Sequence, residues 1–162
     1  MTTRGFLTGL GVVGVCAIIA GVFLLIYMHT AGAQGSSSLA DFPGYKTTTV
    51  TIDGQKIKAA IADTAALQEL GLGNRDGLPE GEGMIFIFTV DKEYAFWMKD
   101  MRFSIDIVWI SASGVIVYMA QNVSPDTYPE DFVPTAPARD VLELPAGYAH
   151  AHNFKIGDAV QF

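Results

Sequence analysis

Cysteine and positive charge are both scarce in this chain. One of its 162 residues is Cys, and 10 Lys and Arg stand against 17 Asp and Glu, for a formal net charge of −7 at pH 7. A lone cysteine excludes a disulfide scaffold, and the acidic balance argues against a basic nucleic-acid-binding surface. A chain that is 50% hydrophobic is also too apolar to remain disordered. We therefore expect a folded protein with no nucleic-acid partner.

Charged side chains are almost absent from the first 40 residues, where Arg4 stands alone. An apolar run follows at residues 6–28, long enough as a helix to cross the roughly 30 Å hydrocarbon core of a bilayer. Small residues at Ala31 and Ala33 are typical of a signal-peptidase cleavage site, whereas the length of the run is typical of a retained anchor. Residues 1–33 are therefore predicted to be either a signal peptide or a signal anchor.

This N-terminal segment also predicts where the rest of the chain lies. A positive residue such as Arg4 favours the cytoplasmic side of the membrane, which directs the following residues to the extracytoplasmic, periplasmic side. We expect a protein anchored to the inner membrane by its N-terminal helix, or secreted after cleavage near Ala33. Glycine and serine make residues 34–44 a predicted flexible tether, and residues 45–162 have the size of one domain.

The domain is predicted to be mainly β, an antiparallel β-sandwich or barrel-like fold with one short helix. Asp53 and Gly54 are suited to the positive φ angles of a type I′ hairpin turn. The helix is predicted at residues 65–70, with Asp63 or Thr64 as its N-cap and Gly71 at its end. Strands are predicted where short β-type runs lie between turn signals, at residues 45–52, 56–62, 84–88, 94–98, 105–110, 115–121, 139–144 and 159–162.

Several familiar catalytic and cofactor motifs are missing from the domain. It has no phosphate-binding glycine loop, no G-x-S-x-G elbow and no thiol, so we expect no cofactor. His150 and His152 share one face of an extended segment and are weak candidates for binding copper or zinc. Histidines beside Gly and Asn are more often solvated, and no metal site is therefore predicted.

Ordered motifs along the domain carry a family resemblance. They are FWMKDM at residues 96–101, IDIVWI at 105–110, GLGNR at 71–75, GMIFIF at 83–88 and VLELPAG at 141–147. In this order they resemble the DUF192 family over residues 57–162. The sequence departs from the usual pattern at Asp100, Met101 and Ser104, where the family more often has Asn, Thr and Pro, and at Gly73, where Met is common. The resemblance implies a compact, mostly β domain, often exported, without an established activity.

Charged residues alternate with apolar ones in these motifs. Successive strand residues point to opposite faces, so Lys99, Asp106 and Glu143 each lie on an otherwise apolar face. With Arg75, these charges form either a structural ion network or the polar floor of a pocket beside Trp97. The second alternative predicts binding of a small polar ligand, such as a sugar, at Arg75, Trp97, Lys99, Asp106 and Glu143.

The main functional prediction is a binding or accessory module that is not an enzyme. One alternative is a non-catalytic subunit of a membrane-protein assembly, which would use Tyr128, Phe132 and Val133 in a proline-rich loop as its contact surface. Another is an enzyme with Asp106 and Glu143 as an acid/base pair. Neighbouring Lys and Arg side chains would lower both pKa values, which makes these carboxyls poor proton donors.

Overall fold

The structure, a computed structural model, describes residues 44–162 of the chain. The predicted signal segment and nearly all of the predicted tether lie outside these residues. Within them, no helix combines the length and apolar composition needed to cross a membrane. The elements are β1 (Thr47–Ile52), β2 (Gln55–Ala62), α1 (Ala65–Leu70), β3 (Glu82–Lys92), β4 (Ile105–Ile110), β5 (Ile116–Val123), β6 (Ala138–Pro145), α2 (Tyr148–Ala151) and β7 (Val160–Gln161), with a 3-10 turn at Pro125–Thr127.

The strands form one mixed, seven-stranded sheet that curls into a half-barrel. Their order is β5-β4-β6-β3-β2-β1-β7. The predicted β content is confirmed, but the prediction of a purely antiparallel sheet is wrong because β2 and β3 are parallel. A parallel pair requires a crossover connection, and residues 63–81, which include α1, provide one.

The two outer strands of the sheet approach each other at one end. Val115 and Ala159 form an isolated antiparallel bridge, and the N–H of Val160 donates to the carbonyl of Gly114 at 2.8 Å. A Cβ atom at Gly114 would lie only 2.9 Å from the carbonyl oxygen of Val160. The φ of this glycine is also positive, at +71°. Glycine is therefore required where the sheet curls onto itself.

Local turn signals are confirmed where the chain reverses or ends a helix. Asp53 and Gly54 have φ angles of 46° and 78°, and β1 and β2 pair on either side of them. The side chain of Thr64 accepts the N–H of Leu67 at 3.3 Å, which makes it the N-cap of α1. Gly71 ends α1 at a φ of 48°. These signals act within a few residues, so the sequence alone specifies them.

Two predictions about secondary structure are corrected. Residues 94–98 are not a strand, although Phe96 bridges Phe132. Their alternating pattern arises because Met98 is buried in the core while Trp97 is half-exposed, in an irregular segment. The domain also has a second helix within the described residues, α2, which begins after Gly147 in the left-handed conformation. Its four residues are too few to give a periodic pattern.

Both faces of the sheet are covered, because alternate residues of β3, β4 and β6 pack into two separate cores. We call them the first and second cores. The first contains Met84, Phe86, Ile105, Ile107, Trp109 and Val141. The second contains Ile85, Val108, Ile110, Leu142 and Leu144, with residues of β1, β7 and α2. A polar side chain on the buried parts of these strands therefore lies in one of the two cores, and its sequence parity decides which.

Candidate functional site

A cavity of about 290 Å³ opens beside the first core, and we call it the aromatic pocket. Its walls are α1 with the turn at residues 71–73, the middle of β3, and the irregular segment at residues 94–101, while β6 contributes one residue. The sequence motifs at residues 71–75, 83–88, 96–101 and 141–147 thus meet at one place in the fold. A volume of this size lies near the lower end of the range for small-molecule sites, roughly 300–1,000 Å³.

Hydrogen bonds from a single glutamine attach the helical wall to the sheet. The Nε2 atom of Gln68 donates to the carbonyl of Ala62 at the end of β2, at 3.2 Å, and to that of Ile87 in β3, at 2.9 Å. No residue of α1 is fully buried, and partly buried Leu67 is the apolar residue of this helix that packs against the first core. Gln68 therefore contributes much of what positions this wall, and its amide donors are occupied by the backbone.

Aromatic rings form the opposite wall in interlocking pairs. Phe88 and Tyr94 stack with their ring centroids 3.7 Å apart, and the ring of Phe86 meets that of Phe96 edge-on at 4.9 Å. The indole N–H of Trp109 donates to the carbonyl of Tyr94 at 2.9 Å, which fixes the irregular segment against the first core. Paired rings of this kind give an apolar wall with little freedom to rearrange.

The mouth of the pocket holds a charged pair beside an indole. Trp97 is 48% exposed, and the Nζ atom of Lys99 lies 5.9 Å from its ring centroid. The same Nζ atom is 3.6 Å from Oε1 of Glu69 in α1. Both side chains of this ion pair are well exposed, so the pair adds little stability and its main effect is on the electrostatics of the mouth.

The floor of the pocket contains a buried carboxyl group. Glu143 of β6 is 5% exposed and lies between Met84 of β3 and Ile107 of β4. Its Oε2 atom has no hydrogen-bond partner among the described residues. Burial raises the pKa of Glu143 from 4.5 to about 8. At neutral pH the carboxyl is therefore mostly protonated, so that it can both donate and accept a hydrogen bond.

Asp106 has a different role from Glu143, although both are buried carboxyls. Its Oδ1 atom accepts the N–H groups of Asn122 at 2.8 Å and Gly147 at 3.0 Å, and its Oδ2 atom accepts that of Ala149 at 2.9 Å. The side chain thus joins β4 to β5 and to the start of α2. It belongs to the side of the sheet opposite Glu143, so the two carboxyls do not flank one substrate.

The structure brings together part of the predicted site. Trp97, Lys99 and Glu143 line the aromatic pocket, whereas Asp106 and Arg75 do not. Arg75 interacts with Tyr45 instead; burial raises the pKa of the Tyr45 phenol and the nearby guanidinium acts in the opposite direction. Three of the five predicted site residues therefore line the pocket, and the other two, Asp106 and Arg75, make contacts elsewhere in the domain.

The two histidines lie in and after α2, away from the pocket. His150 is exposed, and the ring of half-buried His152 lies 4.2 Å from that of Tyr148. Within residues 44–162, no group of three or more His, Cys, Asp or Glu side chains is arranged to hold a metal ion.

Sequence reasoning missed several residues of the pocket. Glu69 is on the helix, and nothing local shows that it pairs with Lys99 across the mouth. Phe86 and Phe88 could have been found from the sequence. Their side chains point to the same face of β3 as that of Met84, which is the cross-strand partner of Glu143. That signal becomes usable only when the register between β3 and β6 is known.

Comparison with known proteins supports the resemblance seen in the sequence. The sequence profile of the DUF192 family, described as an uncharacterized ACR, matches residues 48–162. No curated protein matches the chain.

The fold resembles that of several solved structures, two of which are the following. One is a protein of unknown function from Novosphingobium aromaticivorans, with a TM-score of 0.72 and 27% identity, and the match covers 82% of this chain and 94% of that one. The other is a candidate transcription regulator from Sinorhizobium meliloti, with a TM-score of 0.69 and 24% identity over 72% of this chain and 94% of that one. At this identity the second likeness concerns the fold alone.

Proposed function

The chain belongs to the DUF192 family, and from its pocket we propose that it is a binding module for a small ligand with one polar group. The observation that carries this proposal is the carboxyl of Glu143, buried at the floor of a cavity with its Oε2 atom unpartnered among the described residues. Buried polar atoms in native proteins nearly always have a hydrogen-bond partner. The polar group of a ligand in the aromatic pocket would provide one.

The other polar side chains of the pocket argue for a single polar group on the ligand. The amide of Gln68 donates to backbone carbonyls, and the hydroxyl of Tyr94 donates to the carbonyl of Val90 at 2.7 Å. Lys99 and Glu69 pair with each other. A sugar would bring several hydroxyl groups to a site with few open partners, and each buried hydroxyl left unbonded costs roughly 1–3 kcal/mol. The rings favour an apolar or planar body instead.

A thermal-shift screen of the full chain in a nonionic detergent tests this function. The screen compares small alcohols, amides and amines that carry an apolar body with simple sugars, because a ligand that binds the folded state raises the melting temperature. We expect one or more of the singly polar classes to raise it. The shift should disappear in Glu143→Leu and persist in Asp131→Asn, which alters an exposed carboxylate outside the pocket. No shift with any class, or an equal shift in Glu143→Leu, would overturn the proposal.

We also propose that the module works outside the cytoplasm, either tethered to the inner membrane or secreted. The support is the sequence: Arg4, the apolar run at residues 6–28 and the small residues before Gln34. Cell fractionation and N-terminal sequencing of the mature protein test it. A membrane-bound protein that keeps its first residues indicates an anchor, and a new N-terminus near Gln34 indicates secretion. An intact protein in the cytoplasmic fraction would contradict both forms.

A non-catalytic role in a membrane-protein assembly is the second candidate. It is favoured by exposed apolar side chains in the proline-rich loop, since Tyr128 and Val133 are 49% and 44% exposed. Phe132, in contrast, packs against the first core and bridges Phe96, so it does not contribute to such a contact surface. Site-specific photocrosslinking from position 128 in cells would identify a membrane-protein partner. A crosslinking pattern identical to that from exposed position 56 in β2 would exclude the loop as a specific surface.

A further inference from the structure

We propose that the ligand of the aromatic pocket is an organic ammonium ion, a protonated primary or secondary amine whose N–H groups pair with Glu143. Its small apolar body would then pack against the aromatic wall. This inference rests on the proposed binding function and specifies the chemical class of the ligand.

The floor of the pocket holds an acidic group with no positively charged partner among the described residues. Lys99 is the one cationic side chain among the lining residues, and its Nζ atom is paired with Glu69 at the mouth. Burial raises the pKa of Glu143, and this carboxyl forms no ion pair with a Lys or Arg side chain among the described residues. A buried acidic group beside a cavity and without a basic partner is complementary to a ligand that brings the positive charge with it.

The walls of the pocket are rich in aromatic rings. Ammonium ions are attracted to the faces of aromatic rings, and rings of Phe86, Phe88, Tyr94, Phe96 and Trp97 line the cavity. The mouth already shows this chemistry within the protein, because the Lys99 ammonium lies near both the indole of Trp97 and the carboxylate of Glu69. The floor has the same two components, rings and a carboxyl, without the ammonium.

The negative net charge of the whole chain also favours a cationic ligand. A formal net charge of −7 attracts cations and repels anions over a distance of about one Debye length, roughly 8 Å at physiological ionic strength. An anionic ligand would have to approach against this field and then lie beside an acidic group. A neutral ligand would be indifferent to it. The charge therefore favours a cation over the other two classes.

Binding of an ammonium ion requires that Glu143 lose its proton. The O–H bond of the carboxyl breaks, the proton goes to solvent, and the carboxylate formed pairs with the N–H groups of the ligand. The strands on either side present apolar Met84 and Ile107, and the titratable groups of the other walls are Glu69, Lys99 and Tyr94. Glu69 and Lys99 pair with each other and the hydroxyl of Tyr94 donates to the backbone, so the proton that binding releases is the one on Glu143.

This coupling separates an ammonium ligand from a neutral one. Below the pKa of Glu143, one proton is released for each amine bound, so the affinity rises about tenfold for each pH unit. Above that pKa the carboxyl is already ionised and the affinity no longer depends on its proton. A neutral alcohol or amide bonds to the protonated carboxyl, releases no proton and loses affinity when the pH rises.

The experiment is isothermal titration calorimetry of the full chain in a nonionic detergent. The probes are linear, branched and aromatic primary amines, each paired with the alcohol of the same carbon skeleton. Titration at pH 6.5 in two buffers of different ionisation enthalpy counts the protons released. We expect at least one amine to bind at least tenfold more tightly than its alcohol, with the release of close to one proton. We also expect its Kd to fall about tenfold between pH 6 and pH 7.

Glu143→Gln keeps the shape of the side chain and its hydrogen-bonding capacity but cannot ionise. We expect it to lose amine binding while Asp131→Asn retains it. If the Gln variant fails to fold, the number of protons that the wild-type chain releases on binding still distinguishes an ammonium ligand from a neutral one. Equal binding of amine and alcohol, binding without proton release, or amine binding retained in Glu143→Gln would overturn the ammonium inference. Alcohols that bind while amines do not would overturn it and leave the proposed function standing. Failure of both classes would overturn the ammonium inference, and the thermal-shift screen, which also contains amides, would then decide the proposed function.

Discussion

Asp106 and Glu143 lie on neighbouring strands, and because they are one register step apart their side chains face opposite sides of the sheet. Ile107 is the cross-strand partner of Glu143, and Leu144 is the partner of Asp106. Three backbone N–H groups bond to Asp106, whereas the Oε2 atom of Glu143 has no partner among the described residues. One carboxyl therefore holds the fold together and the other faces a cavity, and the predictions below separate these roles.

Replacing Glu143 with methionine should stabilise the protein. The change removes a buried acid that lacks a full set of hydrogen bonds and fills similar space with apolar atoms next to Met84 and Ile107. We expect the free energy of unfolding at pH 7 to rise by about 1 kcal/mol. Urea denaturation of the two proteins measures the difference. A loss of stability instead would show that Glu143 has a structural role.

The pH dependence of stability should identify Glu143 by its sign. Because burial raises its pKa from 4.5 to about 8, the folded state binds more protons than the unfolded state between those pH values. The contribution of Glu143 to the free energy of unfolding is therefore fully present below pH 4.5. It falls as the pH rises toward 8, with a limiting slope of about 1.4 kcal/mol per pH unit. Denaturation of wild type and Glu143→Gln from pH 6 to pH 8 tests this, and equal slopes would contradict it.

Asp140 adds to the same trend at lower pH. Burial is the main cause that raises its pKa from 3.8 to about 6, while Arg139 acts in the opposite direction. The folded state again holds the proton more tightly, so stability falls between pH 3.8 and pH 6. We expect Asp140→Asn to flatten the stability profile in this lower window and to leave the slope above pH 6 unchanged. Urea denaturation between pH 4 and pH 6 is the measurement.

Asp106→Asn should destabilise the fold without a direct effect on the pocket. An amide has one accepting oxygen, and its NH₂ group would face a backbone N–H that now bonds to the carboxylate of Asp106. We expect a loss of about 3 kcal/mol in the free energy of unfolding. Calorimetric titration of the folded variant should give the wild-type ligand affinity. A selective loss of affinity at full stability would reverse the assignment of the two carboxyls.

Gln68→Leu should loosen the helical wall of the pocket. The substitution removes the hydrogen bonds to the carbonyls of Ala62 and Ile87, at a cost of about 1 kcal/mol. Hydrogen exchange measured by mass spectrometry should be faster at residues 65–70 and unchanged in β4 and β6. Glu69→Gln, on the exposed side of the same helix, is the control and should exchange as wild type. Equal exchange in Gln68→Leu would mean that other contacts hold α1.

How much of this structure the sequence predicts depends on how far apart the interacting residues are. The turn at Asp53 and Gly54 and the helix between Thr64 and Gly71 follow from neighbouring residues, and both are confirmed. The parallel pairing of β2 and β3 joins residues on either side of a long crossover. No local pattern distinguishes a parallel pair from an antiparallel one, so the sequence-based prediction of an antiparallel sheet is wrong for these two strands.

The candidate site shows the same division. Alternation correctly predicts that Glu143 points into an apolar face, because the parity of β6 is a local property. Whether Asp106 shares that face depends on the register between β4 and β6, and a shift of one residue reverses the answer. The ion pair between Glu69 and Lys99 follows from no local sequence pattern, since one residue is on a helix and the other is in an irregular segment.

The helical wall of the pocket has a consequence for how the proposed ligand would enter and leave. α1 has six residues and none is buried, so it is far shorter than a helix that is stable by itself, which needs roughly 12–15 residues. Segments of this kind open locally while the sheet beneath them stays intact. For the proposed ligand, the affinity and the residence time would therefore depend on different parts of the molecule. Glu143 and the rings would set the affinity, and the opening of α1 would set the residence time.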